Sequence, residues 1–148
     1  MYEPLKLLHL AAAIVWLGGM AFVLGALRPV VAAQLQPPLR LPLMAAVLGR
    51  FFVAVWASIA VLLLSGAQMM ASLGMKNAPL GAHLMLGIGL LMFAIFGHLY
   101  FGPFRRMKVA VAAANWPEAG RRMAQIHPLV VLNFGLGWLA VAAVYLLR

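Results

Sequence analysis

Cysteine is absent from this 148-residue chain, and acidic side chains are limited to Glu3 and Glu118. Without cysteine there is no disulfide framework, no thiolate metal site and no CxxCH attachment of haem, so any haem would be held non-covalently. Two isolated glutamates give no carboxylate pair inside a membrane, and the GxSxG, HExxH and phosphate-loop patterns are missing too. Soluble-enzyme chemistry is therefore unsupported; the enzyme class left open is a membrane oxidoreductase. Charge of either sign is scarce, at 9% of residues against 66% hydrophobic, and the mean hydropathy is +1.04. A soluble domain of this size needs more polar surface to cover its core. The chain reads as an integral membrane protein with the lipid bilayer as its partner. Its net charge of +9 could suggest nucleic acid, but the basic residues flank apolar runs, which is a topology signal. No nucleic-acid partner is expected.

Four apolar runs are present, Leu5–Val31, Pro42–Ser72, Leu80–Phe101 and Pro117–Leu147. The first is too long for the apolar region of a signal peptide and reads as a retained helix. Gln34-Leu35-Gln36-Pro37-Pro38 breaks the chain after it, and Leu73 to Pro79 supplies turn formers. Gly102-Pro103 is expected to interrupt the third run, with Phe104–Ala114 following as a short interfacial helix. Asn115-Trp116-Pro117-Glu118 has the form of a helix start, and Pro128 that of a kink. The expected fold is all-α, a four-transmembrane-helix up-down bundle forming a single membrane domain over residues 1–148. No internal repeat stands out. Arg28, Arg40, Arg50, Arg105, Arg106, Lys108, Arg121 and Arg122 fall at one end of the spans, and Lys6, Lys76 and Arg148 at the other. That bias places the termini outside the cytoplasm in a bacterial-type inner membrane.

The third run carries a histidine at each end, in HLMLGIGLLMFAIFGH from His83 to His98. Helical rise separates the two by roughly 22 Å, so each lies near one face of a hydrocarbon core about 30 Å thick. Ionisable residues within a span are costly and mark function by default. His9 lies at the depth of His83, and His127 at that of His98. The first and third helices of such a bundle are commonly diagonal, so His9 and His83 could ligate a flat macrocycle between them. Trp16, below His9, could pack on the porphyrin. The reading reached from the residues is a b-type haem, one or two per chain, held by His9 and His83. His98 is a further cofactor-binding candidate, and Arg28 and Arg50 could bind propionates or another anion. The role is electron transfer, with quinone or another redox protein as partner.

Two readings compete with it. Met69, Met70, Met75 and Met85 lie near the depth of His9 and His83, and thioether with imidazole suits Cu(I); copper handling is the first alternative. The second is a cofactor-free structural or assembly factor, whose histidines only bond between helices. Methionine is an ordinary apolar filler, and arginines at a span's end commonly snorkel to the interface. Asn133 is expected to bond across helices, and the stripe of His127, Phe134, Trp138 and Tyr145 to pack or face lipid.

The segments LHLAAAIVWLGGMAF, LGRFFVAVW and HLMLGIGLLMFAIFGHLYFGPFRRMKVAVAAANWPEAG resemble the small stand-alone members of the CopD-like membrane family, over most of the chain. A more distant resemblance is to HemJ-like proteins, four-helix membrane proteins that bind haem and are linked to protoporphyrinogen oxidation. The first resemblance implies copper resistance or uptake and points at His9, His83 and His98 as matching positions. No family motif surrounds His127. The sequence leaves open the haem count, haem against copper, and the oligomeric state.

Overall fold

The computed structural model describes residues 2–147; Arg148, counted above among the basic residues, lies outside them. Four long helices account for almost all of that length: α1 (Tyr2–Gln34), α2 (Pro37–Leu73), α3 (Leu80–Ala112) and α4 (Trp116–Leu146). Each is apolar enough and long enough to cross a bilayer. At 1.5 Å per residue the 33 residues of α1 reach about 50 Å, well past a hydrocarbon core of about 30 Å. The excess is the basic turns at one end. We call that the basic end, and the opposite one, where the described chain starts and finishes, the terminal end.

Local chemistry sets the boundaries. Gln36 is extended, and Pro37 and Pro38 begin α2, where a missing N–H costs nothing. Gly74 ends α2 at φ 75°, a left-handed value that suits a residue without Cβ. Asn115 caps α4: its side chain accepts from the Glu118 N–H at 3.3 Å, and Pro117 sits in the first turn as expected.

The third span is not interrupted at Gly102-Pro103. The chain widens into a π turn over Tyr100–Phe104 and continues as helix to Ala112. Proline both lacks an N–H and presses on the carbonyl four residues back; a wider turn relieves the clash without ending the helix. A second π turn, Val23–Leu27, lies in α1, where the Arg28 N–H reaches five residues back to the Val23 carbonyl. It stands just before Pro29. Pro128 lies inside α4 without breaking it.

An internal correspondence, absent from the sequence reading, follows from these turns. In α1, 21 helical residues precede the π turn, and in α3, 20 do. A shift of 77 residues, from Val23 to Tyr100, carries Gly25 onto Gly102 and Arg28 onto Arg105.

α1 packs along α2, and α3 along α4, while contact between the two pairs is thinner. Gly81 is where α3 sits directly on the end of α4: its N–H donates to the Leu147 carbonyl at 3.0 Å, and a Cβ there would press on the Ala143 and Leu147 carbonyl oxygens. α1 and α3 lie on a diagonal bridged by Trp16, which stacks on Phe93 (5.8 Å between centroids) and meets Phe96 edge-on (6.2 Å). Phe52 and Trp56 of α2 and Tyr100 and Phe104 of α3 extend this aromatic core toward the basic end. Leu7, Val53 and Leu64 point outward, as they must on a lipid-facing surface.

Candidate functional site

Near the terminal end, His9 of α1 turns its ring onto α2. Its Nδ1 lies 2.8 Å from the Ser65 hydroxyl oxygen. Ser65 is buried, and its hydroxyl donates to the Val61 carbonyl at 2.6 Å. A hydroxyl has one proton. With that proton on Val61, Ser65 can only accept from His9, so His9 carries its proton on Nδ1 and presents a bare lone pair at Nε2. His83, in the first turn of α3, is fixed alike: its Nδ1 donates to the Pro79 carbonyl at 3.2 Å. Both imidazoles are thus anchored through Nδ1, which leaves the Nε2 lone pair of each free of that bond. Metal-binding histidines are oriented in this way by a second hydrogen bond.

Met69 and Met70 stand one turn beyond Ser65 and Gly66 on α2, toward the terminal end. Met70 is buried, Met69 and Met85 are half-buried, and Met75 is exposed in the α2–α3 connection. Among the described residues no three of His, Cys, Asp and Glu gather into a metal cluster. Any metal held here would need thioether or few-coordinate ligation. Ser65 escaped the sequence reading. The available signal was a lone hydroxyl followed by glycine in a run whose only other polar residue is Gln68, LLLSGAQMM.

Below His9, Trp16 does not line an open space for a macrocycle. It is buried at 3% exposure and its face is taken by Phe93. A haem reaching that depth on the α1–α3 diagonal would have to displace this stack.

The basic end separates residues that the sequence grouped. His98 is exposed and lines an open groove of about 800 Å³ with Arg106, Arg122 and Gln125. His127 is half-buried, is not part of that lining, and has its Nδ1 buried without a partner among the described residues. Arg50 is exposed, in keeping with snorkelling. Arg28, at the same end of the spans, shares a cavity of about 210 Å³ with Arg40. Both glutamates are spent within their own helices: Glu3 pairs with Lys6 at 2.9 Å, and Glu118 with Arg122 at 2.7 Å and Arg121 at 3.2 Å.

Asn133 crosses between helices as expected, its Nδ2 donating to the Met92 carbonyl at 3.1 Å. Its Oδ1 is buried and unpaired among the described residues. An interhelical bond in a bilayer is worth on average about 0.6 kcal/mol, whereas an unpaired buried acceptor costs about 1–3 kcal/mol. Asn133→Leu is therefore expected to leave thermal stability in detergent unchanged or raise it by about 1 kcal/mol. A loss above about 2 kcal/mol would mean that Oδ1 has a partner in the membrane. Trp138 and Tyr145 of the same helix face outward, as a lipid-contacting stripe does.

A family model described as Copper resistance protein D matches residues 45–147. No curated protein matches, and no solved structure does.

Proposed function

The chain belongs to the copper resistance protein D family, and on that premise we propose that it is a copper-handling membrane protein that takes Cu(I) as its cargo near the terminal end. The observation that carries this reading is the pair of Nδ1-anchored histidines, His9 and His83, at the depth of Met69 and Met70. Neutral imidazole and thioether are soft ligands that suit Cu(I), and Cu(I) needs no carboxylate, of which this chain has almost none. The charge bias of the spans supports an inner membrane with the terminal end outside the cytoplasm. The metal would then be met on the outer side.

The same Nε2 atoms would serve as axial ligands of a b-type haem, and this keeps electron transfer as the second reading. The Trp16–Phe93 stack stands against it, and the family description favours copper.

One preparation separates the two. The full chain, purified in detergent after expression with adequate haem and copper, is assayed for copper and iron, and its spectrum is taken oxidised and dithionite-reduced. Copper near one equivalent, lost in Met69→Leu/Met70→Leu, with no reduced α-band, is the expected result. A sharp α-band with stoichiometric iron, indifferent to the methionines, would overturn the copper reading and establish the haem one. Neither metal would overturn both.

A further inference from the structure

At the basic end, the five arginines besides Arg28 and Arg40 have a simple account. Arg50, Arg105, Arg106 and Arg121 are exposed, and Arg122 is paired with Glu118 at 2.7 Å; Arg121 also reaches Glu118, at 3.2 Å. Arg28 and Arg40 differ from all of these. Both are half-buried, both line the same cavity, and neither has an ion-pair or side-chain hydrogen-bond partner among the described residues. Arg28 follows directly on the π turn of α1, and Arg40 lies in the opening turn of α2, so the α1–α2 hairpin brings them together. Two guanidiniums turned into one small space repel each other unless an anion joins them.

We propose that this cavity binds a phosphate monoanion or diester, and that its occupant in the membrane is the headgroup of an anionic phospholipid. The guanidinium fork matches phosphate oxygens in shape and charge. Apart from the arginines the lining is apolar, with Leu41, Met44 and Met123, which suits a phosphate carrying a glycerol and the start of an acyl chain. At about 210 Å³ the space is below the roughly 300–1,000 Å³ of pockets for drug-sized ligands; it fits a headgroup and excludes a macrocycle. Its place at the ends of the spans is where headgroups lie, and basic pockets between helices are known headgroup sites. The proposal is independent of the copper reading, since it uses none of the histidines or methionines of the terminal end.

Native mass spectrometry of the full chain in detergent, with phosphatidylglycerol and phosphatidylcholine supplied in equal amounts, tests it. The unmodified chain is expected to retain one phosphatidylglycerol with roughly tenfold preference or more. Arg28→Gln/Arg40→Gln is expected to lose the preference. Arg50→Gln removes a charge from the same end without touching the cavity and is expected to keep it. Ala32→Trp fills the cavity while leaving every charge in place and is expected to exclude the lipid. Circular dichroism confirms the helix content of each variant. Release of the lipid by millimolar inorganic phosphate would identify free phosphate as an equal source of the same ligand; retention would assign the site to lipid. Preference surviving in the double variant, or lost equally in Arg50→Gln, would overturn the proposal.

Discussion

His9→Ala is expected to weaken Cu(I) binding by more than about 100-fold, and Ser65→Ala by roughly 10–100-fold although Ser65 touches no metal. The two effects have different causes. The first removes a donor atom. The second releases a tautomer: the Ser65 hydroxyl, committed to Val61 at 2.6 Å, accepts the Nδ1 proton of His9 and so keeps Nε2 bare. With alanine at position 65 the proton can move to Nε2, and the ring can turn. Ser65→Thr keeps a hydroxyl able to bond the carbonyl four residues back and is expected to restore most of the affinity. Competition of the full chain with a Cu(I) chelator measures all three. Affinity unchanged in Ser65→Ala but lost in His9→Ala would leave His9 as a ligand and remove the positioning role from Ser65. Affinity unchanged in both would remove His9 from the site.

The second large effect concerns the scaffold. Trp16→Ala is expected to cost about 3 kcal/mol, at the low end for loss of a buried aromatic. The low end applies because little of the stability comes from transfer out of water when lipid is itself apolar; packing carries the cost instead. Trp16 is the contact through which α1 reaches α3, by its stack on Phe93 and its edge on Phe96. Removing it opens a void where the two helical pairs touch least. Thermal unfolding in detergent reads the loss. A change below about 1 kcal/mol would show that the helices close over the gap and that the diagonal is not held by this ring. The same variant bears on the cofactor: improved haem uptake in Trp16→Ala would locate the obstacle to a macrocycle at that stack.

The four spans and their short connections were legible because a bilayer demands long apolar helices and allows little else. The start of α4 was legible for a local reason: cap, proline and acid stand within four residues, and Asn115 caps Glu118 as those residues require. Asn133 was legible as the only amide deep in its span. The continuity of α3 through Gly102-Pro103 was not. Proline forbids a regular turn, but it does not say whether the chain stops or widens, and here the packing of the following turns on α4 keeps the helix going. That Arg28 lines one cavity with Arg40 was not legible, because depth alone does not tell which arginines of one end come together. Side-chain direction decides the matter, and the π turn that precedes Arg28 resets that direction. Ser65 was missed since a serine in a span ordinarily bonds its own helix, as it does with Val61; that it also holds His9, 56 residues away, depends on how α1 and α2 meet.

The paired π turns relate α1 to α3 position by position. Under the shift of 77 residues that carries Val23 onto Tyr100, Trp16 falls on Phe93, the ring against which it stacks. Equivalent residues meet each other only on a symmetry axis, here one running along the bundle. α1 and α3 thus touch at matching positions of their two π-turned helices. The histidines do not follow this correspondence. His9 falls on Leu86, His83 on Lys6 and His98 on Ala21, and α2 has no histidine to answer His127. The correspondence thus belongs to the scaffold, and none of the four histidines has a histidine at its matching position.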